Sequence, residues 1–140
     1  MSENDSKLLL DDARKAAHVG DFDRARSQLR EVLDRFPAVA AIETRLRLGR
    51  LCILGGAKFF DEAEQRLGEA RRLASESRDL ENEAAAIQQL ALLCRGRGQL
   101  IKADALLDES PANSQVATPS REAGQLFHYR GLLAADRGQL

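Results

Sequence analysis

The feature that most constrains this chain is a short unit that returns. Gly20-Asp21-Phe22-Asp23-Arg24-Ala25 is matched by Gly98-Gln99-Leu100-Ile101-Lys102-Ala103, each reading glycine, polar, large apolar, two more residues, alanine. A looser copy runs from Gly56 to Ala63, where Phe60 and Ala63 keep the apolar-to-alanine step after a two-residue insertion. The chain stops on Gly138-Gln139-Leu140, the opening of a fourth copy, and the glycines are spaced 36, 42 and 40 residues apart. Repetition at such a period marks an array of helical units, each too small to bury its apolar face alone and stable only when stacked on its neighbours.

Composition agrees with an all-α chain. Alanine, leucine, arginine and glutamate dominate, aromatics are 4%, tryptophan is absent, and the three prolines fall at helix boundaries. Lys+Arg (21) and Asp+Glu (22) nearly cancel, so no global field points to nucleic acid. Apolar runs are too short for a membrane span, and Met1-Ser2-Glu3-Asn4-Asp5 has no signal-peptide character. The composition is that of a cytoplasmic helical protein.

The pattern predicts seven helices. Residues 1–5 read as a flexible polar tail, with Asp5 or Ser6 capping a first helix to Val19 that carries Leu9, Ala13, Ala16 and Ala17 on one face. Gly20 ends it and Asp21 caps the second, whose Phe22, Ala25, Leu29, Val32, Leu33 and Phe36 keep helical spacing until Pro37. Ala38 to Leu54 forms the third helix, Gly55-Gly56 breaks it, and Phe59/Phe60 to Leu73 returns, followed by a polar turn from Ser75 to Arg78. Leu80 to Cys94 and Leu100 to Leu107 form a third hairpin. Residues 110–118 form a loop, and Thr118-Pro119 starts a seventh helix to about Arg137. The domain is thus 6–140, with repeats at about 6–37, 38–78 and 79–117 and a partial one at 118–140.

At these residues the chain resembles the tetratricopeptide repeat (TPR) family in its long-period form. The matching positions are Phe22, Phe60 and Leu100 opening second helices, Ala25, Ala63 and Ala103 within them, and Ala13, Gly49, Ala91 and Gly131 midway along first helices. Pro37 matches the closing proline. No tryptophan stands near the start of a first helix, where Leu9, Arg45, Ile87 and Phe127 are found instead. The resemblance implies a right-handed α-solenoid of antiparallel hairpins whose first helices line a concave, ligand-binding face. Carried over residue by residue, that face holds Lys7, Leu10, Arg14 and His18; Glu43, Leu46, Arg50 and Ile53; Gln88, Leu92 and Arg95; and Gln125, His128 and Leu132. Arg14, Arg50 and Arg95 form a basic stripe whose planar guanidinium forks suit carboxylates, which implies an acidic peptide or protein partner. The asparagines of the chaperone-tail clamp are missing.

No catalytic or metal arrangement competes with this. Cys52 and Cys94 occupy equivalent places in successive first helices. Helix axes about 8–10 Å apart exceed the roughly 7 Å Cα separation that a disulfide tolerates, so both read as small core residues. His18 and His128 have no second ligand at metal spacing, and no nucleophile–base pair or phosphate-cradling glycine loop is present. The mixed charges of Arg26, Arg30, Glu31 and Asp34, and of Glu62, Glu69 and Arg71, read as solvated outer faces. The expectation is a non-enzymatic protein-interaction module without cofactor or metal, part of a larger regulatory or scaffold protein that continues past Leu140. Self-association is the alternative, as a homodimer covering Phe127 and Leu133 of the C-terminal helix. An RNA-binding helical repeat is disfavoured by the charge balance.

Overall fold

A computed structural model describes residues 3–37 and 42–111, and these are all-α. Six helices follow one another: α1 (Glu3–His18), α2 (Phe22–Arg35), α3 (Ile42–Leu54), α4 (Phe60–Glu76), α5 (Leu80–Gly96) and α6 (Leu100–Asp108), with a single 3-10 turn (Ala57–Phe59) before α4. No strand occurs among the described residues. The seventh helix expected from Pro119 lies outside them.

One turn geometry is used three times. At the end of α1 the Asp21 N–H donates to the Ala16 carbonyl (2.8 Å) and the Gly20 N–H to that of Ala17 (3.1 Å), which satisfies carbonyls the helix leaves open. Gln99 and Gly98 repeat this onto Cys94 and Arg95, and Asp79 and Arg78 onto Ala74 and Ser75. The motif needs a left-handed residue, and Gly20 (φ +86°) and Gly98 (φ +76°) supply it without a Cβ penalty. Arg78 (φ +56°) accepts the same conformation with a side chain. The Asp21 carboxylate accepts from the Arg24 N–H (3.3 Å) and that of Asp79 from the Asn82 N–H (3.2 Å), so both start the next helix as caps.

Two boundaries differ from the sequence reading. Glu3–Asp5 belong to α1, and Ser6, read as a cap, is fully buried inside it. Residues 3–5, read as part of the polar tail, are thus helical. Ser75 and Glu76, read as turn, continue α4, and Ser77 closes it by donating its hydroxyl to the Leu73 carbonyl (2.9 Å).

Each helix packs on the next, and α3 also packs on α5. Ala25, Ala63 and Ala103, placed at helix crossings from sequence, have no exposed surface. One core cluster joins Ala13 and Ala16 of α1, Leu29, Val32 and Leu33 of α2, Leu48, Leu51 and Cys52 of α3 and Ala63 and Leu67 of α4, and Leu93 of α5 reaches into it. A second cluster holds Ala84, Ala91 and Cys94 of α5 against Ala103 and Leu107 of α6. Burying one such leucine contributes about 1.5–3 kcal/mol. Both cysteines are free and buried, and burial together with the nearby Glu62 charge pushes the Cys52 thiol up to about 11.

The charges read as outer faces are partly internal stitching. Arg26 is 4% exposed: its guanidinium donates to the Leu51 carbonyl (3.0 Å), pairs with Asp23 and stacks 4.2 Å from the Phe59 ring centre. Any side chain at Gly55 would collide with Phe59 (2.5 Å) and approach Arg26 (2.9 Å), so this glycine is a packing requirement. Arg30 of α2 grips Glu62 of α4 with two 2.7 Å hydrogen bonds, and Arg97 reaches from the α5–α6 turn to Asp61 (2.9 Å) and Glu64 (3.0 Å) of α4.

Candidate functional site: an arginine-rimmed cavity between the first two hairpins

The second helices supply carboxylates for most of these arginines, and the residues of α1 and α3 behave differently. Between α1, the start of α2 and α3 lies an open cavity of about 430 Å³. From α1 it takes Leu10, Ala13, Arg14 and Ala17; from α2, Phe22 and Leu29; from α3, Arg47, Arg50, Leu51 and Leu54. Its floor is apolar because α1 presents alanines at Ala13 and Ala17, two residues one turn apart that are too small to reach α3. The geometry leaves apolar surface open: Phe22 is 38% and Leu54 60% exposed. The back wall is held firmly, since the Leu51 carbonyl takes the buried Arg26 guanidinium.

Three guanidinium groups stand at this cavity. Arg14 pairs with Asp11 at 3.0 Å, a contact exposed on both sides and therefore weak. Arg47 and Arg50, both exposed, make no ion pair and no side-chain hydrogen bond among the described residues. The contrast with Arg30 is sharp: its bidentate partner Glu62 is held below the usual carboxylate range by that hydrogen bonding, and Arg30 itself is shifted upward by it. The rim of the cavity thus carries uncompensated positive charge over an apolar floor, an arrangement that can bind but offers no reacting group. Among the described residues no cluster of three or more His, Cys, Asp or Glu could hold a metal ion. No helix among them is long and apolar enough to cross a membrane.

Of the residues anticipated from sequence, Leu10, Arg14 and Arg50 come together here. His18 is exposed at the end of α1, beside Arg14, Lys15 and Val19 around a shallower depression of about 270 Å³. Lys7 and Glu43 are exposed but line neither cavity. Leu46 and Ile53 are half-buried and pack on the main core cluster. Gln88 is a correction: at 2% exposure it is part of the interior and not of an open face. Leu92 is half-buried and Arg95 exposed on α5, away from the cavity. Gln125, His128 and Leu132 lie outside the described residues. Sequence reasoning missed Arg47, Leu51 and Leu54 on α3, and Phe22 as an open wall. The signal was present, since positions 47, 50, 51 and 54 are themselves one helical face.

Compared with known proteins, the chain matches no family model, no curated protein and no solved structure.

Proposed function

We propose that this chain is a protein-interaction module of the long-period TPR type, a right-handed solenoid of helical hairpins that docks an acidic partner segment on the face formed by its first helices, as part of a larger regulatory or scaffold protein. The observation that carries this reading is the pair of arginines, Arg47 and Arg50, that have no partner among the described residues and stand beside an open apolar cavity. The guanidinium groups of Arg30 and Arg97 are matched to carboxylates of the same chain, whereas these two, among the described residues, are available to carboxylates of another. Apolar surface rimmed by charge is the composition of interfaces in general.

Comparative capture tests it. The chain and the Arg47→Glu/Arg50→Glu variant are immobilised at equal density and exposed to the same native extract. The expected result is a protein retained by the first, lost by the second, and released as salt rises, since exposed charge pairs are screened. Equal retention by both forms removes this face as the binding surface.

A further inference from the structure

The cavity says more about the partner than its charge. We infer that it is an anchor pocket for one large apolar side chain of the partner, with acidic residues flanking that anchor against Arg47 and Arg50, and that the contact is confined to the first two hairpins. This rests on the reading of the chain as a protein-interaction module and specifies what it takes.

Three observations support it. The hollow of about 430 Å³ is walled by three different helices, α1, α2 and α3, and is of the size that takes one large side chain. Its walls, Ala13, Ala17, Leu29 and Leu51, offer no hydrogen-bonding side chain, so only an apolar group gains by entering. The cavity does not continue onto α5: its lining comes from α1, α2 and α3 alone, and Gln88 of α5 is interior. A short segment with one anchor is accommodated by the first two hairpins alone, without any contact to α5. The positive rim excludes a basic segment and attracts an acidic one.

Fluorescence anisotropy on the full 140-residue chain decides it. The probe is labelled acetyl-Glu-Asp-Leu-Phe-Asp-Glu-amide, and its comparator carries Ser-Ser in place of Leu-Phe. The anchored peptide is expected to bind at least about tenfold more tightly than the comparator, the scale that apolar pockets discriminate on. Ala17→Leu, which fills the cavity, is expected to erase that advantage and leave the comparator's affinity alone. Leu54→Ser, at an exposed rim position, should weaken the anchored peptide without touching the fold, and circular dichroism checks both variants. Arg95→Glu should change nothing.

Equal binding of the two peptides overturns the anchor while leaving the arginine face intact. An anchored peptide indifferent to both Ala17→Leu and Leu54→Ser overturns the pocket's location, and loss of binding in Arg95→Glu overturns the confinement to two hairpins. If neither peptide binds and the Arg47→Glu/Arg50→Glu variant still captures the same partner, the underlying reading falls, and this inference with it.

Discussion

The junction between the first and second hairpins and the junction between the second and third are built from the same sequence pattern and end up unlike. At the second, α5 packs on α3 as well as on α4, and Leu93 and Leu90 of α5 join the core cluster of the first four helices. At the first, α1 and α3 are not among the helix pairs in close contact, and a cavity stands between them. The cause is side-chain size. Ala13 and Ala17 of α1 leave the space beside α3 unfilled, whereas Leu90 and Leu93 of α5 fill the core at the second junction. Two helical hairpins can thus keep the same turn geometry and still leave a cavity where two residues at one joint are small.

The comparison can be broken by substitutions, and the largest effect is expected where no space exists. Ala63 is fully buried at the α3–α4 crossing, so Ala63→Glu places an unpartnered carboxylate in the core and should cost about 4 kcal/mol or more. Chemical denaturation should show the chain largely unfolded without denaturant. Gly49→Val comes next. A Cβ at Gly49 would stand 2.5 Å from Leu67, itself fully buried, so the added atoms should cost about 3 kcal/mol through overpacking.

The Arg30–Glu62 pair ties the α2–α4 side of the first junction, and its effect is smaller because both groups are partly open to solvent. Since the Glu62 carboxyl is held low in the folded state, its contribution is complete above the unfolded carboxylate value of about 4.3 and disappears as pH falls through the lower folded value. Glu62→Gln should therefore cost about 1 kcal/mol at pH 7 and nothing at low pH, as read from urea midpoints. The smallest effect is expected of Ala17→Leu. The same kind of addition that fails at Gly49 should leave stability within about 0.5 kcal/mol here, because the cavity receives it. A loss as large as that of Gly49→Val would mean that the two junctions are equally filled.

The helical hairpins were legible because their punctuation is chemical. Positive φ at Gly20 and Gly98, the carboxylate cap at Asp21 and alanine at the crossings leave marks in composition. The turn ending at Arg78 was read as a turn, but its kinship with Gly20-Asp21-Phe22 was not, because arginine fills the place of the glycine although cap and apolar residue keep their order. The site was legible in part. Arg14 and Arg50 follow from the helical period, but the choice between 46/50/53 and 47/50/54 is a rotation of α3 about its own axis, with successive residues about 100° apart. That rotation is fixed by the burial of Leu48, Leu51 and Cys52 against residues of α1, α2 and α4, and so by other helices. Arg26 itself was misread for the same reason: a guanidinium buried against an aromatic ring and a helix-end carbonyl has the sequence signature of a surface charge.

The two cysteines stand as clocks in two parts of the core. Cys52 sits in the cluster shared by the first two hairpins and Cys94 in that of the third. Both thiols are shielded, and burial keeps both from ionising at their ordinary values, so a thiol reagent meets each one only when its own part of the core opens. Labelling rates at the two positions would therefore report the opening of each cluster, the two being joined through Leu93 of α5. A ligand seated between α1 and α3 would slow the Cys52 clock more than that of Cys94.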